Sequence, residues 1–190
     1  MNQFEAEVRN AAEALRKGKV ILYPTDTIWG LGCDATNARA VERLFRIKRR
    51  KDAHSLIALI ESSSRLSHYL YKVPPMALDL ITFAANPISI VYPRGRNMAK
   101  NVFAPDGSVC IRVTNDPFCS SLVKHFGKPI ASTSANISGE ATPLFYGQIS
   151  NEIIKGVDYV VGIYHNEIKA AKATSIIKME SDGQFTVLRA

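Results

Sequence analysis

At 190 residues, 46% hydrophobic and 22% charged, the chain has the length and composition of one globular domain, which excludes a disordered or fibrous polypeptide. Its longest apolar runs, such as 20–23 and 56–60, are too short to span a bilayer, and its first ten residues hold Glu5 and Glu7 without a signal-type apolar stretch, so a cytoplasmic protein is expected. The net charge of +7 favours anionic partners: nucleotide phosphates, RNA, or both.

Phe4, Val8, Ala11, Ala12 and Leu15 repeat at helical spacing, and Gly18 stops that helix. A buried strand follows over 19–23 and ends at Pro24, in a loop that holds Thr25, Asp26, Thr27, Gly30 and Gly32. Residues 37–47 predict a second helix, with Asn37 as N-cap and Val41, Leu44, Phe45 and Ile47 as its apolar stripe. A strand over 55–60 comes next, then helical patterns over 62–71 and 75–83. Strands are expected over 88–92 and 109–113, a helix with Pro at its start over 117–126, and a short buried strand over 129–132. The remainder predicts a helix near 145–155 and strands over 159–161, 174–179 and 185–188, with a turn at Ser181, Asp182 and Gly183 joining the last two. Early alternation of helix and strand with late hairpins predicts the α/β class: a single domain over 1–190, an open, twisted, mixed parallel and antiparallel sheet flanked by helices.

The common nucleotide and hydrolase signatures are absent. There is no G-x-x-x-x-G-K-[ST], no G-x-G-x-x-G, no G-x-S-x-G and no H-E-x-x-H. Cys33, Cys110 and Cys119 form no C-x-x-C and have no histidine at ligand spacing, as expected of reduced thiols. His54, His68, His125 and His165 show no ligand spacing either; His54 alone adjoins a basic block.

Three clusters sit where strand ends meet loops, the usual place for ligands in α/β folds. Tyr23-Pro24-Thr25-Asp26-Thr27 with Gly30 and Gly32 lets hydroxyls and backbone approach a small ligand, or is an ordinary turn. Lys48 and Arg50, in the block Arg46 to Lys51, could grip a polyphosphate, Lys as a point charge and Arg as a planar fork; a solvated helix end is the plainer alternative. A second basic block holds Arg94, Arg96 and Lys100. Ser132 to Gly139 offers hydroxyls and the Asn136 amide to a base or ribose, or caps a helix. Arg112, inside the apolar strand 109–113, needs an acidic partner or a ligand carboxylate.

In this order the clusters resemble the YrdC-like family of threonylcarbamoyl-adenylate synthases. The family's Y-P-T-[DE]-T, K-x-R, strand Arg and S-x-N are matched by Tyr23 to Thr27, Lys48 and Arg50, Arg112, and Ser134 and Asn136. The run from Gly127 to Asn136 is similar to its G-x-P-[IL]-x-x-T-S-A-N, and Thr174 to Ile177 to its late S-T-I-V strand. Lys51, Ser55-Leu56 and Ala84-Ala85-Asn86-Pro87 depart from common family prolines, and the 47–59 segment with His54 is also similar to the YciO branch.

The resemblance implies a YrdC-like fold with a basic concave cavity. It implies synthesis of threonylcarbamoyl-adenylate from ATP, bicarbonate and L-threonine with release of pyrophosphate, for tRNA N6-threonylcarbamoyladenosine modification by downstream transfer proteins. Lys48 and Arg50 would serve the phosphates and reacting carboxylate, and Thr25 and Arg112 the threonine. Thr133, Ser134, Asn136 and Thr142 would hold the nucleotide, and Mg²⁺ would come with the ATP rather than on protein side chains. The alternatives are a YciO-like paralogue with another small-molecule reaction and a binder of tRNA or double-stranded RNA. No RNP-type strand, G-x-x-G clamp or Arg-Gly repeat accompanies the basic charge.

Overall fold

The computed structural model describes residues 2–49, 56–167, 174–180 and 182–189. Helix α1 (Gln3–Arg16) begins where the Asn2 side chain accepts the Glu5 backbone N–H at 2.8 Å, and it buries Val8, Ala11, Ala12 and Leu15. Helix α2 (Ala38–Ile47) is capped by Asn37, which accepts from the Arg39 and Ala40 backbone N–H groups. Short helices α3 (Leu66–Tyr69) and α4 (Pro75–Phe83) follow. Helix α5 (Pro117–Phe126) starts under an Asp116 cap and ends at Gly127, whose φ of 82° closes it in the left-handed region. Helix α6 (Asn151–Gly156) is the last.

The strands are β1 (Ile21–Tyr23), β2 (Gly30–Asp34), β3 (Ile57–Ile60), β4 (Ile88–Tyr92), β5 (Val109–Val113), β6 (Ile130–Ser134), β7 (Tyr159–Val160), β8 (Ser175–Met179) and β9 (Phe185–Arg189). They form one sheet in the order β7-β1-β2-β6-β3-β5-β4-β8-β9. β1–β7, β3–β5 and β4–β8 pair in parallel; the other neighbours are antiparallel, so the sheet is mixed, as expected. Alternating side chains give it two apolar faces. On one, Ile21, Tyr23, Leu59 and Ile130 pack under α1 and α5. On the other, Leu22, Leu31, Ala58, Ile60 and Ile111 meet α2 and α3. No helix among the described residues is long and apolar enough to cross a membrane.

The segment expected to be a loop through Gly32 is instead the fully buried strand β2, bonded to β1 and β6. Its glycines are required by packing. A Cβ at Gly32 would stand 2.8 Å from Tyr23 Cε1 and 3.0 Å from Ile130 Cγ2, so the Tyr23 ring occupies that space. β6 runs to Ser134, past the expected end, because β2 supplies partners for Thr133 and Ser134. The helix expected near 145–155 is divided: a 3₁₀ turn at Tyr146–Gln148, extended backbone at Ile149, then α6, capped by Ser150. The 62–71 pattern likewise divides into a 3₁₀ turn at Ser63–Arg65 and α3, with Leu70 bridging to Gly95. Ser55 and Ser181, from the expected strand start and turn, lie outside the described residues.

Candidate active site

A cavity of about 550 Å³ opens on the sheet face that α1 and α5 cover elsewhere. Alternation carries the site into it. Ile130 is packed under the helices, while Ser132 and Ser134, the next residues on that face of β6, line the cavity. Ile57 and Leu59 of β3, Cys110 and Arg112 of β5, and Ile176 of β8 add to the floor. The 24–29 connection contributes Thr25, Thr27, Ile28 and Trp29. Two arginines, Arg112 and Arg189, and no carboxylate stand among the described lining residues.

Five of the sequence-predicted site residues therefore border the one cavity, in its floor or its wall: Thr25, Arg112, Thr133, Ser134 and Thr142. Lys48 and Asn136 stand one layer back and reach that wall through Ser134. Lys48 is the C-cap of α2 and is only 2% exposed. Its Nζ donates to the Ser134 carbonyl at 2.8 Å, to Ser134 Oγ at 3.2 Å and to Asn136 Oδ1 at 3.1 Å. Ser134 Oγ in turn donates to Asn136 Oδ1 at 2.6 Å, and the Asn136 amide donates to the Ile137 and Glu140 carbonyls. The backbone reinforces the junction, with Ser138 N–H donating to the Lys48 carbonyl at 2.9 Å. Arg49 then takes φ 52°, which turns the chain out of the helix and sends its own side chain to Glu152 at the surface. Arg50, Lys51 and His54 lie outside the described residues.

Arg112 is 6% exposed and pairs with Asp26 through Nη2 and Oδ2. Thr25 Oγ1 accepts the Thr27 and Ile28 backbone N–H groups at 3.2 Å and donates to the Ile28 carbonyl at 2.6 Å. The hydroxyl is thus engaged within the loop, as the turn reading of this cluster expects, while Thr25 also borders the cavity. Tyr23 OH and Ser132 Oγ are 2.6 Å apart beneath it.

The second basic block does not join the site. Arg94 and Arg96 lie against the exposed Tyr71 ring, 5.3 and 5.5 Å from its centroid. Conversely, sequence reasoning missed Arg189 and Thr174 as cavity residues. Arg189 comes from β9 and donates through Nε and Nη2 to the Thr174 carbonyl at 3.0 and 2.7 Å. The β4–β8–β9 pairing brings these residues over the floor; the match of Thr174 to Ile177 to the family's late strand marks the segment but not its place at the cavity, and no motif marks Arg189. No group of three metal-ligating side chains exists among the described residues.

Residues 13–190 match the Sua5, YciO and YrdC family, described as telomere recombination. The chain is 36% identical over 160 residues to threonylcarbamoyl-AMP synthase of Pseudoalteromonas translucida, covering 83% of this chain and 86% of the relative. Among solved structures, P. abyssi Sua5 complexed with L-threonine superposes with a TM-score of 0.87 at 25% identity, covering all of this chain and 54% of that longer one. E. coli YciO superposes with a TM-score of 0.83 at 27% identity, covering 99% and 89%.

Proposed function

The chain belongs to the Sua5, YciO and YrdC family, and from that premise we propose that it is an enzyme that joins L-threonine, bicarbonate and ATP into threonylcarbamoyl-adenylate, releasing pyrophosphate. The observation that carries the reading is the shared cavity: hydroxyl residues from three separate segments and the buried Arg112 border one hollow.

Bicarbonate takes up a proton and loses water to give carbon dioxide, the neutral threonine amine adds to it, and the amine releases a proton to water, leaving a carbamate. One carbamate oxygen then attacks the α-phosphorus of ATP while the bond from that phosphorus to the β-bridging oxygen breaks, and the electron pair leaves with pyrophosphate. Three anionic groups must be held together and the charge on the transferring phosphoryl group offset, which positioning and electrostatics accomplish without a covalent nucleophile. Arg112 takes the threonine carboxylate and Thr25 its hydroxyl. Thr133, Ser134 and Thr142 hold the nucleotide, and Asn136 serves it through the Ser134 hydroxyl. Lys48, now bonded to Ser134 and Asn136, places a positive charge behind the nucleotide wall, and Arg50 serves the phosphates. The magnesium ion enters as part of the ATP substrate, held by phosphate oxygens and water. The product passes in the cytoplasm to proteins that transfer the threonylcarbamoyl group to tRNA.

Mass spectrometry of a reaction containing ATP, bicarbonate and threonine tests the proposal; the adenylate should appear only when all three are present. Its absence would end the synthase reading, and a product formed equally well with serine or lysine would favour a YciO-like reaction instead. Binding to tRNA or double-stranded RNA through phosphates alone would fall steeply as salt is raised, whereas threonine-dependent ATP consumption would persist.

A further inference from the structure

The Asp26–Arg112 pair is built asymmetrically. Asp26 lies in the connection between β1 and β2, while Arg112 lies on β5, separated from β1 in the sheet by β2, β6 and β3. One arm of each group is joined, Arg112 Nη2 to Asp26 Oδ2. The other arms, Arg112 Nε and Asp26 Oδ1, are buried without a hydrogen-bond partner. A two-armed fork would satisfy both groups and is the usual geometry of an arginine with a carboxylate. Arg112 lines the cavity, whereas Asp26 is absent from its wall.

The connection that carries Asp26 is itself anchored. Thr25 Oγ1 gathers three backbone bonds within it, and the Cys119 thiol donates to the Pro24 carbonyl at 3.5 Å. Burial raises the pKa of that thiol, which keeps it neutral beside the carboxylate. The backbone that carries Asp26 is therefore anchored independently of Arg112, and the guanidinium, on the longer side chain, is the partner that is oriented.

We infer that Asp26 is a positioning residue for the amino-acid carboxylate: it holds Arg112 by one arm and so fixes how the guanidinium is presented at the cavity. A guanidinium bordering a cavity with no carboxylate among its described lining residues is a recognition element for a planar anion. This inference rests on the proposed threonine site, and it assigns Asp26 no contact with substrate.

The test compares Asp26→Ala and Asp26→Asn with the wild-type chain, in steady-state kinetics and in thermal shift with threonine or ATP. Asp26→Ala should raise the threonine KM by about ten-fold or more, the loss expected when a hydrogen bond to a charged group is misplaced, with the ATP KM and kcat little changed. Asp26→Asn keeps an oxygen acceptor for Nη2 and should recover part of the loss. An Asn variant as impaired as the Ala variant would mean that charge, not orientation, matters, and would overturn the inference. So would a threonine KM equal to wild type, or equal rises in the threonine and ATP KM values. If Asp26→Ala does not fold, Asp26→Asn against wild type decides between the same outcomes. A wild-type chain that forms no adenylate and shows no threonine-dependent thermal shift removes the threonine site itself; a normal wild-type response with unaffected variants removes only the role of Asp26.

Discussion

The Lys48 ammonium donates to the Ser134 carbonyl at 2.8 Å, although the two residues lie 86 positions apart. The contact joins the end of α2 to the end of β6, and it places a buried cation directly behind a hydroxyl of the cavity wall.

Lys48→Met keeps the apolar stem and removes the charge. Turnover should fall by ~10²-fold or more if the ammonium offsets charge on the phosphoryl group as a single oxyanion donor does. Stability should fall by about 1–3 kcal/mol, because Asn136 Oδ1 and the Ser134 carbonyl lose a charged donor. Pyrophosphate release and urea unfolding measure the two effects separately. A variant less stable yet fully active would make Lys48 a strut only. Arg50→Ala should lower turnover to a similar degree in the same assay.

Gly32→Ala tests the packing of β2. The added Cβ would meet the Tyr23 ring at 2.8 Å, and that ring is tethered by its hydroxyl to Ser132 at 2.6 Å. Relief requires moving a fully buried side chain, so a loss of about 1–3 kcal/mol is expected in urea unfolding. An unchanged midpoint would show that the ring moves freely, contrary to its burial.

This glycine also marks where sequence reading stops. Asn37 before an apolar stripe and Pro117 opening α5 are local signals, and each element formed where they indicate. Gly30 and Gly32 send the opposite local signal, since glycine is depleted in strands. Their strand character comes from Tyr23 and β6, which no window around residue 31 contains. The candidate site divides in the same way. Arg112 was legible because a charge in an apolar strand demands a partner. That Asp26 is that partner depends on how the 24–29 connection crosses the sheet, and the place of Arg189 depends on the pairing of β8 with β9.

The buried thiols of Cys33 and Cys119 and the half-buried thiol of Cys110 predict an alkaline dependence. Burial raises the Cys110 pKa from an ordinary 9.0 to about 12, and raises Cys33 and Cys119 also. Below pH 9 both folded and unfolded chains keep these thiols protonated, and burial of the neutral form carries no penalty. Above it the unfolded chain loses protons that the folded chain retains, so stability falls as pH rises toward 12. The loss should approach about 1.4 kcal/mol per thiol for each pH unit above the unfolded pKa. Urea midpoints at about pH 8 and about pH 10 measure it, and Cys119→Ser should lessen the slope. A midpoint that does not move would mean that the thiols reach water in the native state.

The Asp26–Arg112 pair yields a prediction about stability that is separate from its role toward substrate. Arg112 has a side-chain exposure of 7% and Asp26 of 22%. Removing Asp26 leaves the more buried charge uncompensated, so Asp26→Ala should cost about 3 kcal/mol or more. Arg112→Ala leaves the carboxylate, which reaches water more readily, and should cost less in stability while raising the threonine KM. The double variant retains neither stranded charge. Its loss should therefore be smaller than the sum of the single losses, with a coupling of at least about 1 kcal/mol. Strict additivity in urea unfolding would mean that the two charges do not sense one another, and would leave the orientation of Arg112 without the support attributed to Asp26.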